Sequence, residues 1–193
     1  MKKILFIAPI VILFILSCEE AEVTPIENNL EYFPNTTGTV WKYERYDSLQ
    51  NTIDTFTVSI IGDTLISGDS CSIWVYDYKT DSEKFYVFQK DDSVKIFKPS
   101  INRIDQLYKI PFELKSGWVN PDYKVDTSFV SGFQDVMVNN KMYTNVVLIE
   151  RKAFCCNDYL IEKIWIKPYV GLIKLERKHI IFGPYKNETW KRI

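Results

Sequence analysis

The chain after about residue 30 shows a pattern that leaves little room for helices. Valine, isoleucine, threonine, tyrosine, phenylalanine and tryptophan are dense there, and no stretch keeps a helical apolar period for more than two turns. Short β-rich runs separated by turn residues are typical of strands. We therefore predict twelve strands, at residues 40–46, 53–61, 72–79, 84–89, 94–98, 103–108, 124–129, 135–138, 141–152, 159–166, 172–182 and 188–192.

The turns between these runs predict antiparallel hairpins. Asn139 and Asn140 separate two apolar runs, and asparagine tolerates the positive φ that tight hairpin turns require. The strands are apolar on both faces, since Ile73 points to one face and Trp74 to the other. A sheet with one solvated face alternates more strictly, so the second face must also be covered. The predicted fold is an all-β domain over residues 31–193, in which a mostly antiparallel sheet forms a barrel, a half-barrel or a sandwich.

The N-terminus carries the pattern of a secretory signal. Lys2 and Lys3 precede thirteen uncharged residues, 4–16, which are followed by Ser17 and Cys18. A membrane-spanning helix needs about 20 apolar residues, so this run is too short to be one. It fits the apolar region of a signal peptide. We predict a signal peptide at residues 1–17 and a short acidic tether at residues 18–30.

The end of this segment resembles the lipobox of bacterial lipoproteins, in which a small residue precedes a cysteine. The resemblance implies cleavage between Ser17 and Cys18 and a lipid on Cys18, which would anchor the protein to a membrane. Glu19, Glu20 and Glu22 follow directly. They resemble the signal that sends Bacteroidetes lipoproteins to the outer face of the outer membrane. The expected location is the cell surface, and the alternative is the periplasmic leaflet of the outer membrane.

Three short segments of the body resemble uncharacterised Bacteroidetes lipoproteins. Residues 32–43 contain Tyr-Phe-Pro followed by Gly and Trp-Lys-Tyr, like the opening of those proteins after their tether. Residues 112–118 resemble their central element, with the spacing to tryptophan shortened. Residues 165–173 resemble their closing strand pair. The resemblance implies an envelope location and says little about activity.

Three cysteines remain after the predicted lipid cysteine: Cys71, Cys155 and Cys156. An oxidising compartment permits a disulfide between Cys71 and either of the other two. The alternative is that they are buried as small apolar residues. We predict no metal site, because neighbouring strand residues such as Cys155 and Cys156 point to opposite faces and cannot easily reach one ion.

Charge and histidine content exclude several functions. The 24 basic and 25 acidic residues give a net charge of −1, which argues against a nucleic-acid binder. The one histidine, His179, stands apart from any nucleophile motif, so we predict no enzyme and no cofactor. Glu150, Glu162 and Glu176 each lie beside a Lys or Arg. We interpret them as members of cross-strand ion pairs rather than as the paired carboxylates of a glycosidase.

Two functions stay open. The first is a non-enzymatic module that binds a hydrophobic or glycan ligand, and the second is an accessory protein that contacts an outer-membrane partner. The interior of the fold distinguishes them, because a cavity of several hundred Å³ favours ligand binding and a densely packed core favours the accessory role. Trp41, Trp74, Trp118 and Trp165 are predicted to lie in the core or at its rim.

Overall fold

The computed structural model describes residues 34–120, 125–155, 158–180 and 186–193. The predicted signal peptide, the acidic tether and the lipid cysteine Cys18 lie outside these ranges. No helix in the described ranges is long and apolar enough to span a bilayer.

Twelve strands form the described part of the chain, which confirms the all-β prediction. A short 3-10 turn, Pro99–Ile101, follows the fifth strand. The strands are β1 (Val40–Asp47), β2 (Thr52–Ile66), β3 (Asp69–Asp77), β4 (Ser82–Lys90), β5 (Ser93–Lys98), β6 (Arg103–Lys109), β7 (Gly117–Val119), β8 (Val125–Val138), β9 (Lys141–Cys155), β10 (Asp158–Lys167), β11 (Gly171–Ile180) and β12 (Lys186–Arg192).

All twelve strands belong to one antiparallel sheet, in the order β6-β5-β4-β3-β2-β1-β12-β11-β10-β9-β8-β7. Neighbours in the sheet are neighbours in sequence except at β1 and β12, where Tyr43 pairs with Arg192 and Asp47 with Glu188. The first and last strands therefore lie side by side in the middle of the sheet. The curl of the sheet brings the two edge strands, β6 and β7, next to each other, edge to edge.

The side chain of Asn120 joins these two edges. The backbone N–H of Gln106 in β6 donates to Asn120 Oδ1 at 2.7 Å, and Asn120 Nδ2 donates to the Gln106 carbonyl at 3.3 Å. One amide side chain thus satisfies backbone groups that an open edge would leave unpaired. The sheet is nearly closed into a barrel, which selects one of the three predicted architectures.

Bulges supply part of the curvature that closure requires. The strands predicted at 124–129 and 135–138 are in fact one strand, β8, so the predicted break between them was wrong. The register of β8 against β9 shifts once at Ser131 and again at Asp135. A bulge bends and twists its strand, so the residues between the two predicted strands bend the barrel wall and do not interrupt the strand.

The short strand β7 was not predicted. It contains only three residues, and a Cβ on Gly117 would lie 3.0 Å from the backbone oxygen of Ser128 in β8. Glycine therefore permits the close approach of the two backbones. A three-residue strand that begins with glycine is too short for its alternation to be recognised.

The core lies inside the barrel. Four of the five tryptophans belong to the central cluster, where they pack with buried residues such as Val58 and Ile149: Trp41, Trp74, Trp118 and Trp190. Trp165 is also buried, but Lys174 covers its ring at 4.6 Å. The predicted placement of Trp41, Trp74, Trp118 and Trp165 in the core or at its rim is confirmed.

Candidate functional site

Cross-strand register places a row of charged side chains on the inner face of the barrel. Arg151 in β9 pairs with Glu162 in β10, Glu162 also pairs with Arg177 in β11, and Arg177 pairs with Glu188 in β12. Directly opposed residues of an antiparallel sheet point to the same face, so the row stays on one side across four strands. We call the row and the groups that extend it the charged belt: Asp126, Arg151, Glu162, Arg177, Glu188, Arg45 and Asp54.

One half of the belt is centred on Glu162. Arg151 donates to Asp126 through Nε at 2.8 Å and Nη2 at 2.6 Å, and to Glu162 through Nη1 at 3.1 Å. On the other side, Arg177 Nε donates to Glu162 at 2.6 Å and Nη1 donates to Glu188 at 3.1 Å. Both carboxylate oxygens of Glu162 are thereby paired with a guanidinium.

The belt continues from Glu188 into β1 and β2. Arg45 Nη1 lies 3.8 Å from Glu188, and Arg45 binds both oxygens of Asp54 at 3.0 and 2.6 Å. The Arg45 guanidinium also lies over the ring of Tyr78, 5.1 Å from its centroid. Charges alternate in sign along the whole belt, so the belt as a whole is close to neutral.

The electrostatics of the belt favour the ionised forms of Glu162 and Arg177. Burial raises the pKa of Glu162, but Arg177 and Arg151 outweigh burial and bring that pKa below its ordinary value. Burial lowers the pKa of Arg177, but Glu162 and Glu188 outweigh it and bring the pKa above its usual range. Glu162 is therefore a fixed acceptor and Arg177 a fixed donor over the physiological pH range.

Aromatic side chains form the remainder of the inner wall. Trp41 and Trp74 have ring centroids 5.0 Å apart, and Tyr76 meets Phe85 edge to face at 5.0 Å. Burial raises the pKa of Tyr76 well above its ordinary value, so its phenol stays protonated and can donate a hydrogen bond.

The belt and the aromatic wall enclose a cavity of about 470 Å³. One end is deeply buried, since Trp41 and Trp74 are 4% and 5% exposed. The other end is lined by charged side chains that solvent reaches, including Arg45 at 25% and Lys186 at 35% exposed. The cavity is therefore a pocket with an apolar floor and a charged mouth.

The chain enters the barrel at the apolar floor. Pro34, the first described residue, lies beside Gly171, since a Cβ added to Gly171 would be 3.4 Å from both Pro34 and Trp41. Asn35 accepts a hydrogen bond from the Trp74 indole at 2.8 Å through its side chain. The mouth lies at the opposite end of the barrel, where β1 ends and β12 begins.

Sequence reasoning found part of this site. The prediction of cross-strand ion pairs is confirmed for Glu162, whereas Glu176 contacts Lys174 of its own strand. Arg45, Tyr76 and Glu188 were not singled out, because no local motif marks them. The available signal was strand parity, which places such residues at positions that otherwise face the core.

Most of the other predicted site residues lie outside the described ranges. Ser17, Cys18 and Cys156 fall outside the described ranges, and the side chain of Cys155 is not described. Cys71 is buried and free, with its sulfur 3.3 Å from the backbone oxygen of Asp69. The disulfide between Cys71 and Cys155 or Cys156 remains a prediction.

Fold and cavity together define a small antiparallel β-barrel with a half-open internal pocket. One solved structure with this fold is a Bacteroides fragilis protein described as exported and as having a YmcC-like fold. It shares 8% identity over 83% of this chain and 96% of its own, with a TM-score of 0.51, so the likeness concerns the fold alone. A protein from Parabacteroides distasonis described as a lipoprotein matches at 11% identity and a TM-score of 0.48, over 82% of this chain and 95% of its own. No protein-family model matches the sequence, and no curated protein does.

Proposed function

We propose that this chain is a lipid-anchored envelope protein whose barrel is a non-enzymatic module that binds a small ligand in its internal pocket. The observation that carries the proposal is the cavity of about 470 Å³ with a charged mouth and an aromatic floor. Ligand pockets in proteins typically measure about 300–1,000 Å³ and combine apolar walls with a few fixed polar groups. A densely packed interior would have favoured the accessory role instead.

The envelope location rests on the sequence and on the fold. The lipobox-like segment ending at Cys18 predicts the anchor. The fold neighbour from Bacteroides fragilis is described as an exported protein, which agrees with an envelope location. The outer membrane, with the barrel at the cell surface, is the location we propose.

The ionisation of the pocket supports binding rather than catalysis. General acid–base catalysis works best when a group has a pKa near the working pH. Here the pKa of Glu162 is lowered, and the pKa values of Arg177 and Tyr76 are raised, so each shift moves away from neutrality. These groups hold fixed charges and donors and are poorly suited to transferring protons.

Native mass spectrometry on the protein extracted from its own membrane tests the binding module. We expect the wild-type protein to retain a reproducible non-covalent small molecule. Leu107→Trp should retain less of it, because Leu107 lines the pocket. The matched control is Leu65→Trp, since Leu65 is 71% exposed. A clean apoprotein, or a second polypeptide in place of a small molecule, would contradict the proposal and favour the accessory role.

Intact-mass analysis and membrane fractionation test the anchor. Cys18→Ala should remove the lipid mass, and because Cys18 is part of the predicted cleavage site, the protein should keep the mass of the signal peptide. Cys71→Ala is the control, because Cys71 lies in the barrel and should leave both the lipid and the location unchanged. A Cys18→Ala protein that still carries the added lipid mass would refute the predicted lipidation.

A further inference from the structure

We infer that the ligand of the pocket is a neutral, hydroxyl-rich ring, such as a sugar unit of a glycan. The inference rests on the proposed binding function and narrows its ligand class. It depends on three properties of the pocket: the pairing of its charges, the mixture of donors and acceptors, and the aromatic wall beside them.

The basic side chains of the pocket are already neutralised by fixed carboxylates. Five of them line it, and each lies in an ion pair: Arg45 with Asp54, Lys98 with Asp105, Arg151 with Asp126, Arg177 with Glu162, and Lys186 with Asp47. An anionic ligand would have to compete with these carboxylates or be repelled by them. The pocket is therefore poorly suited to a carboxylate or a phosphate.

The belt offers donors and acceptors in close alternation. Guanidinium groups can only donate hydrogen bonds and carboxylates can only accept them. A hydroxyl group does both, so neighbouring hydroxyls on one ring can be bonded by an alternating row. Glu162 and Arg177 lie side by side in the wall, and the protonated Tyr76 phenol lines the same pocket.

An acyl chain fits this wall badly. Methylene groups against Arg151 and Arg177, whose side chains are 21% and 31% exposed, would remove water from partly hydrated charges and supply no hydrogen bond in exchange. Such burial is costly, because paired charges still depend on residual hydrogen bonding. A sugar ring presents polar edges and apolar C–H faces, and the faces can pack on Phe85 and Tyr76.

Saturation-transfer NMR and calorimetry on the full lipidated chain in lipid nanodiscs test the inference, with empty discs as the blank. The probes are methyl glucoside and N-acetylglucosamine as neutral sugars, glucuronate as an anionic sugar and dodecanoate as an acyl chain. We expect saturable binding of a neutral sugar at millimolar concentration or below, weaker binding of glucuronate and no saturable binding of dodecanoate.

A matched pair of variants on β4 locates the binding. Phe85 lines the pocket and pairs with Tyr76, whereas the next residue, Tyr86, faces the opposite side of the sheet and pairs with Phe97. Phe85→Leu should weaken sugar binding between about twofold and tenfold. Tyr86→Leu removes one ring from the same strand and should leave the affinity unchanged.

The outcomes separate the two proposals. Saturable binding of dodecanoate or glucuronate without binding of a neutral sugar overturns the inference and leaves the binding module intact. Equal effects of Phe85→Leu and Tyr86→Leu on sugar affinity also overturn it, because the sugar would then bind elsewhere. An apoprotein in native mass spectrometry together with no binding of any probe removes the binding module itself.

Discussion

Replacing Glu162 by glutamine tests the charged belt most directly. Glu162 is 2% exposed and accepts hydrogen bonds from Arg177 at 2.6 Å and Arg151 at 3.1 Å. Glutamine keeps the shape but removes the negative charge, so both guanidinium groups lose a buried counter-ion. Breaking a buried ion pair from one side typically costs about 3–5 kcal/mol. We expect a loss of about 3 kcal/mol, because Arg151 keeps Asp126 as a partner.

Urea denaturation followed by tryptophan fluorescence measures this loss, since urea does not screen charges. With a denaturant slope of about 2 kcal/mol/M, the unfolding midpoint should fall by about 1.5 M. The control is Glu176→Gln, which removes a partly exposed ion pair with Lys174. Exposed pairs contribute at most about 1 kcal/mol. Equal midpoints for the two variants would refute the argument that the belt stabilises the barrel through fully paired charges.

Three further perturbations follow from the same structure. Because the pKa of Glu162 is lowered in the folded protein, ionised Glu162 stabilises the fold at pH values above the ordinary glutamate pKa. That stability is lost as the pH falls through the lowered pKa of the folded state. Urea midpoints between about pH 6 and pH 3 should therefore fall more steeply in the wild type than in Glu162→Gln, and parallel slopes would contradict this. Asn120→Ala should leave the Gln106 backbone groups unpaired and cost about 1–3 kcal/mol. Unchanged hydrogen exchange of the Gln106 amide would show that the Asn120 side chain does not join the edges of β6 and β7. Gly171→Ala should lower the free energy of unfolding by about 1 kcal/mol or more, because φ is +98° and the added methyl group would lie 3.4 Å from Trp41. Gly132→Ala has open space around its Cβ and should change the stability measured by calorimetry very little.

The belt has a second consequence for the pocket. Its guanidinium and carboxylate groups hold one another in place, so little side-chain entropy remains to be lost when a ligand binds. The bidentate contact of Arg151 with Asp126 restricts the plane of that guanidinium. The same pairs that stabilise the barrel thus keep its polar wall preorganised.

Strand pattern explains why most elements were predictable and two were not. Strands such as β1, β4 and β5 are rich in β-branched and aromatic residues and are bounded by turn residues, so their predicted positions lie within a few residues of the observed ones. The break predicted inside β8 falls where the register shifts at Ser131, and the paired strand β9 continues past this point. Local sequence cannot distinguish a bulge from a reversal when the partner strand decides the outcome.

The sequence by itself determined that the chain forms strands and that most connections are hairpins. It also marked the N-terminal segment whose lipidation at Cys18 is predicted. Tertiary structure alone decided that β1 lies beside β12 and that Asn120 joins the edges of β6 and β7. It also decided that five charged side chains meet in one row: Arg45, Arg151, Glu162, Arg177 and Glu188. Strand periodicity is a local property, whereas register across distant strands depends on closure of the whole sheet.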